Sequence, residues 1–245
     1  MATVDVVLPV LNEEHSLPSC VERLRGFLDS DVGEHTCKIV IVDNGSTDGT
    51  LDVAKRLSVE NPGLVDYIHL DVRGRGLALR KAWLDSEADV VSYMDVDLST
   101  ELAAFPVLVD SIVNDGYHVA FGSRLAHGSN TARSLKREFI SRTYNTIIRL
   151  GMRTKFHDAQ CGFKAVSRDA ARVLVPAVVN NHWFFDTELL VIAERRGFRM
   201  KEIPVVWRED PDSRVKTTRT SIEMLKGLAR LRFGGIPEVD PPEGR

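Results

Sequence analysis

Short apolar runs alternate along the first half of this chain with segments whose apolar residues recur at helical spacing. Val4–Pro9 reads as a strand, and Glu13–Leu28 as a helix with Leu17, Val21, Leu24 and Leu28 on one face. Lys38–Asp43 is a short strand rich in β-branched residues. It runs into the turn Asn44-Gly45-Ser46-Thr47-Asp48-Gly49 and a helix from Thr50 to Val59. Val65–Leu70, Gly76–Ser86 and Ala88–Met94 continue as strand, helix and strand. This rhythm predicts an α/β fold, a mostly parallel sheet with helices on both faces. Ligands of such sheets bind beyond the carboxyl ends of the strands. Pro9–Glu13, Asp43–Asp48 and Asp95–Ser99 stand there.

The pattern loosens after Ser99. A helix is expected near Glu101–Asn114, a strand at Tyr117–Gly122, a polar loop at Ser123–Asn130 and a longer helix at Arg133–Gly151. Short extended pieces fill 156–167, followed by a helix at Arg168–Val175. Thr187–Arg196 reads as a helix ended by Gly197, Arg199–Trp207 as a strand and Asp210–Thr218 as a polar loop. A basic helix covers Thr220–Phe233, and the Pro-rich, charged segment 236–245 reads as a disordered tail.

Composition adds bounds. The 245 residues suit one large α/β domain with a modest appendage. No apolar run approaches the roughly 20 residues of a membrane span, and the start of the chain lacks a basic, signal-like region. Cys20, Cys37 and Cys161 show no metal-binding spacing and read as reduced cytosolic thiols. The net charge of −3 hides a segregation. Residues 132–155 hold seven Lys/Arg against one Glu, and residues 213–232 six against one, on an otherwise acidic chain. Such blocks call for anionic partners or are solvated helix faces. Nucleic acid is not expected, because the body is acidic and no reader motif is present.

Candidate chemistry centres on Asp95-Val96-Asp97, which ends the apolar run Val90, Val91, Tyr93, Met94. Two carboxylates delivered into a crevice suit Mg²⁺ or Mn²⁺ with positions left open for substrate phosphates. Asp43 ends a buried strand before a Gly/Ser-rich turn and can accept hydrogen bonds from a nucleobase or ribose. Equally, Asp43 and Asp48 can make Asx-turns and cap the next helix. Arg73-Gly74-Arg75-Gly76 has the look of a phosphate cradle. The absence of GxGxxG after the first strand and of a Walker pattern argues against a dehydrogenase or a P-loop NTPase.

Taken in order, the motifs say more. Val7-Leu8-Pro9-Val10-Leu11-Asn12-Glu13-Glu14, Val40–Thr50, Arg75-Gly76-Leu77-Ala78, Asp95–Ser99 and Gly122-Ser123-Arg124 together resemble family 2 glycosyltransferases with the GT-A fold, a Rossmann-like sheet. Asp158–Lys164, Phe185–Leu190 and Ile203-Pro204-Val205 are similar to the subgroup that makes dolichyl- or polyprenyl-phosphate sugars. The resemblance implies a catalytic domain over 1–217, with a basic amphipathic helix at 218–235. It implies that Pro9, Asn12, Glu13 and Asp43 line a nucleoside pocket, with Ser99 facing the donor. Asp95 and Asp97 would hold Mg²⁺ or Mn²⁺ on the diphosphate. Arg124 would meet phosphate, as would Arg214 and Lys216 in a mobile basic segment. Asp158 would orient the acceptor or support the metal. Leu98-Ser99-Thr100 is closer to the phosphoglucose than to the phosphomannose type, which leans toward UDP over GDP.

The implied partners are a nucleotide diphosphate sugar, a polyprenyl or dolichyl phosphate, and the cytoplasmic face of a membrane. Attachment would use the basic helices, a small membrane subunit, or both. On a helix over 138–153, Ile140, Tyr144, Ile147 and Ile148 share a face opposite Arg142, Arg149 and Arg153; Arg219, Lys226 and Arg230 form a similar stripe later. Two other readings stay open: a soluble saccharide or metabolite acceptor, and a non-catalytic nucleotide-sugar-binding subunit of a membrane complex.

Overall fold

The computed structural model describes residues 1–132, 134–209 and 217–243. Its first half follows the sequence rhythm: β1 (Thr3–Val10), α1 (Ser16–Asp31), β2 (Thr36–Asn44), α2 (Thr50–Glu60), β3 (Val65–Leu70), α3 (Arg75–Asp85) and β4 (Val90–Met94). Then come α4 (Phe105–Val113), β5 (Val119–Ser123), β6 (Asn130–Ala132), α5 (Leu135–Met152), β7 (Phe163–Ser167), α6 (Arg168–Ala177) and α7 (Phe185–Arg195). The last elements are β8 (Met200–Pro204), β9 (Val206–Arg208) and α8 (Thr217–Gly234).

Seven strands form one sheet in the order β3-β2-β1-β4-β7-β5-β8. Every pairing in it is parallel except those of β7, which runs against both β4 and β5. Side chains alternate across the pleat, so each strand feeds two cores. Val6, Leu8, Ile39 and Ile41 pack with residues of α1, α2 and α4. Val7, Val40, Val42 and Val91 pack with residues of α3, α5, α6, α7 and α8 on the other face. Chain direction reverses its walk across the sheet between β1 and β4, and the ends of β1, β2 and β4 lie together there. Open α/β sheets bind ligands in the crevice at such a switch point.

Three expectations change in the second half. Arg199–Trp207 is not one strand: β8 stays in the main sheet, and β9 leaves it to pair with β6. Pro204, at the junction, has no N–H for a continuing ladder. The helix expected from Glu101 begins with a 3-10 turn at Leu102–Ala104 before α4. The expected disordered tail is anchored at its start, where Ile236 and Val239 pack against the core and Arg196 Nε donates to the Pro237 carbonyl at 2.7 Å.

Candidate active site

The loops after β1 and β2 are stitched into one wall. Asn12 takes a left-handed backbone (φ 58°), which asparagine tolerates better than most residues. Its N–H donates to Ser46 Oγ at 2.9 Å, and its side-chain carbonyl accepts from Thr47 N at 2.8 Å. Glu13 N donates to Thr50 Oγ1 at 2.7 Å, while the Glu13 carboxylate turns to its own helix and accepts from Ser16 Oγ at 2.7 Å. Pro9 sits opposite Val42 in the β1–β2 register.

Asp43 is not presented to the crevice. Its carboxylate has no solvent exposure; one oxygen accepts Ser46 N–H at 3.3 Å and the other meets His69 Nδ1 at 2.7 Å. The Asx-turn read from sequence is present here, and His69 holds the second oxygen. His69, on β3, is partly exposed and was not singled out from sequence, because one histidine in a strand carries no motif.

Asp95 follows β4 directly. Its N–H donates to the Gly162 carbonyl at 3.2 Å, and Leu98 N closes a turn onto the Asp95 carbonyl at 3.0 Å. That turn holds Leu98 at φ 48° and directs Ser99 N–H to Asp97 Oδ1 at 2.9 Å. Gly162 is needed at this point: a Cβ there would lie 1.9 Å from Asp95 Oδ2. Met94, Asp95, Leu98, Ser99, Thr100 and Gly162 line a narrow crevice. The Asp95 side chain is more than a third exposed, so its carboxylate is open to ligands. Among the described residues no three His, Cys, Asp or Glu side chains gather into a metal cage. A half-set of carboxylates suits an ion whose remaining ligands are water and phosphate.

Behind Asp95 lies a charge network that sequence reading did not include among the site residues. Arg75 Nη2 meets Asp95 Oδ1 at 2.5 Å, and its guanidinium lies between the rings of Tyr93 (5.2 Å) and Trp183 (5.1 Å). Burial opposes its charge, but Asp95, Tyr93 and Asp186 hold the Arg75 pKa above its ordinary value. Asp186 accepts the Tyr93 hydroxyl and an ion pair from the fully buried Lys164 at 3.1 Å. Lys164 also donates to the Cys161 carbonyl at 2.6 Å. Both motifs, Arg75-Gly76 and Asp158–Lys164, were visible; the link between them is purely spatial.

Arg124 and Asp158 form a second unit. Arg124 Nε and Nη2 donate to the two Asp158 oxygens at 2.7 and 2.9 Å, and Arg124 N adds a third bond at 3.0 Å. Gln160 N supplies a fourth at 3.1 Å. Burial alone would raise the Asp158 carboxyl, yet Arg124 and these hydrogen bonds bring it down to about 2. Both oxygens of the fully buried Asp158 carboxylate are thus engaged by Arg124 and Gln160. Arg124 stacks over Trp207 at 5.5 Å and feels the charge of Asp95. Arg214 and Lys216 lie outside the described residues.

Over 231 residues the chain is 39% identical to the glycosyltransferase AglD of Haloferax volcanii, covering 93% of this chain but 36% of that protein. It is 30% identical to a dolichyl-phosphate beta-glucosyltransferase of Drosophila melanogaster, over 92% of this chain and 73% of that one. The counterpart in Saccharomyces cerevisiae is 29% identical, with 94% and 74% covered. Among solved structures, glucosyl-3-phosphoglycerate synthase of Mycobacterium tuberculosis with UDP superposes with a TM-score of 0.70 at 22% identity, over 97% of this chain and 82% of that one. The same enzyme with Mn²⁺, UDP and its product gives 0.69 at 20% identity, over 97% and 81%. These likenesses show the GT-A fold. Residues 5–175, most of the sheet and its crevice, match Glycosyl transferase family 2, and the chain belongs to that family of glycosyltransferases.

Proposed function

We propose that this chain transfers a hexosyl residue, with inversion, from a nucleotide diphosphate sugar to a polyprenyl or dolichyl phosphate at the cytoplasmic face of a membrane. The observation that carries this reading is the open carboxylate Asp95 at the crevice, with the Arg75 guanidinium in contact with one of its oxygens. An anionic locus for a cation flanked by fixed positive charge suits two phosphate-bearing substrates. The likeness to dolichyl-phosphate beta-glucosyltransferases supports the lipid acceptor and a β-linked product.

Asp95 and Asp97 are the residues that would hold Mg²⁺ or Mn²⁺. When bound, the ion neutralises charge on the departing nucleoside diphosphate. An oxygen of the lipid phosphate, already ionised at neutral pH, attacks the anomeric carbon as the bond to the diphosphate oxygen breaks. Arg124, held flat by Asp158 and Trp207, positions phosphate; Asp158 acts through Arg124. Pro9, Asn12 and Glu13 form the wall for the nucleoside, and Ser99 faces the sugar. UDP-hexose is the first donor to test.

Two helices supply a membrane face. On α5 the buried side carries Ile148 and Met152, whereas Phe139, Ile140, Ile147 and Leu150 are exposed. At about 100° per residue these four fall within one sector, flanked by Arg142, Arg149 and Arg153. The apolar face read from sequence is therefore two faces: Ile148 in the core, Ile140 and Ile147 outside. Beside it α8 buries Met224, Leu228 and Leu231 and exposes Ile222, Leu225 and Phe233 near Lys226. Arg230 leaves that stripe to sit 2.7 Å from the buried Glu188, and the Arg219 side chain lies outside the described ones. Among the described residues no helix is long and apolar enough to cross a membrane.

The test is transfer of labelled hexose from UDP-glucose and, in parallel, GDP-mannose to polyprenyl phosphate with Mn²⁺. Solvent-extractable label that disappears in Asp95→Asn supports the proposal. Label in water-soluble product instead would establish the soluble-acceptor reading. Flotation with anionic liposomes, weakened in the double variant Phe139→Ser, Leu150→Ser, tests the membrane face; a wild-type chain that does not float shifts attachment to a membrane subunit.

A further inference from the structure

Arg75 is placed with unusual care for a side chain that no catalytic step above requires. Gly74 and Gly76 flank it, and neither admits a side chain: a Cβ on Gly74 would lie 2.6 Å from the Asn181 carbonyl oxygen, and one on Gly76 would lie 2.7 Å from Phe185 Cβ. Leu77 N donates to the same Asn181 carbonyl at 3.0 Å, and Gly74 N to Asn44 Oδ1 at 2.7 Å. The first turn of α3 is thus clamped between the β2 end and the segment before α7. Two aromatic rings then fix the guanidinium plane, leaving the Arg75 side chain mostly buried.

Its hydrogen bonding is incomplete. Nη2 meets Asp95 Oδ1, but the buried Nε makes no hydrogen bond; its nearest carboxylate, Asp186 Oδ2, is 3.9 Å away. Asp186 is itself engaged by Tyr93 and Lys164. Arg75 and Lys164 therefore balance Asp95 and Asp186 without any added ion. A divalent cation approaching Asp95 meets a fixed positive charge already in contact with that carboxylate. Like charges this close repel each other. A diphosphate removes the conflict, because its negative charge offsets both cations and offers Arg75 a second partner.

We propose that Arg75 is the resident counter-ion of Asp95 in the free protein, so that a divalent cation binds there strongly only together with the nucleoside diphosphate. The proposal rests on the metal reading of Asp95 given above. It makes the order of assembly a property of one side chain: cation and nucleotide each raise the affinity for the other, with the reciprocity that linkage demands.

The experiment is Mn²⁺ binding to the full chain, followed by calorimetry and by the Mn²⁺ paramagnetic signal, with Mn²⁺ alone, with UDP and with GDP. For the wild type the expected result is weak binding of Mn²⁺ alone and binding strengthened about tenfold or more by one of the nucleotides. Arg75→Met should bind Mn²⁺ alone about tenfold more tightly and lose most of the nucleotide effect. Arg75→Lys, which keeps the charge, should behave as the wild type. Unchanged or weaker Mn²⁺ binding in Arg75→Met overturns the proposal, since a residue that merely shaped Asp95 would give that result. Asp95→Asn separates the two levels: Mn²⁺ binding with nucleotide that survives it removes the metal from Asp95 altogether. Should Arg75→Met not fold, Trp183 reports on the native protein. Its emission, taken as the difference from Trp183→Phe, should change only when Mn²⁺ and nucleotide are both present. An emission that never changes overturns the proposal as well.

Discussion

The guanidinium of Arg124 spans both oxygens of the Asp158 carboxylate, at 2.7 and 2.9 Å, with no solvent reaching the aspartate. Two residues 34 positions apart thereby act as one ion pair, whose two charges offset each other and in which the direction of the guanidinium is fixed. Removing either member of a buried pair strands the other, which costs far more than the pair contributes against an apolar substitute.

Asp158→Asn should therefore lower turnover by about 100-fold through misdirection of Arg124 while leaving Mn²⁺ binding with nucleotide within about twofold. Single-turnover transfer and calorimetry on the same preparation check this. Loss of Mn²⁺ binding would instead restore a metal-supporting role to Asp158.

The same carboxylate sets an acid limit on stability. Its folded pKa of about 2 lies below the unfolded value, so its stabilisation is complete above pH ~4 and is lost as pH falls through about 2. The contribution is roughly 2 kcal/mol. Urea unfolding of the wild type should weaken between those limits, and Asp158→Asn should show a flatter profile there.

Gly162→Ala should abolish productive donor binding without unfolding the chain, since its Cβ would lie 1.9 Å from Asp95 Oδ2 and push that carboxylate from its place. The expected outcome is a loss of at least about 100-fold in kcat/KM with circular dichroism unchanged. An active variant would show that Asp95 moves freely.

Gly227→Ala tests whether α8 belongs to the catalytic body. A Cβ at 227 would meet the Phe184 ring at 2.3 to 2.6 Å. Overpacking of this kind costs about 1–3 kcal/mol. If α8 is part of the domain, the whole unfolding transition shifts; if it is an appendage, the transition stays and only helix content falls.

All three thiols should be silent toward an aromatic disulfide at pH 8. Burial pushes Cys20 and Cys161 up to about 12 and Cys37 to about 11, so almost no thiolate is present. Three equivalents should react after denaturation, and prompt native labelling would contradict the packing described.

How much could be read without coordinates follows from what each feature depends on. Strands β1 to β4 and helices α1 to α3 were legible because their apolar spacing repeats over several residues and one face of each meets a continuous core. The split of Arg199–Trp207 was not, since an apolar run does not say which sheet it joins. Asp95, Asp97 and Arg124 stood in motifs. His69, Trp183 and Trp207 did not, and each matters only through the residue it touches.

The sequence by itself determined the alternation that makes an α/β sheet, the aspartates at its carboxyl edge and the family to which the order of motifs belongs. Only the tertiary structure decided how those charges are used. It put Arg75 on Asp95, Arg124 on Asp158 and His69 on Asp43, and it turned Phe139, Ile147 and Leu150 outward. The reason is physical: periodicity is a local property of a strand or helix. A carboxylate, by contrast, takes whichever cation or donor the fold brings within 3 Å, and that partner comes from distant parts of the chain.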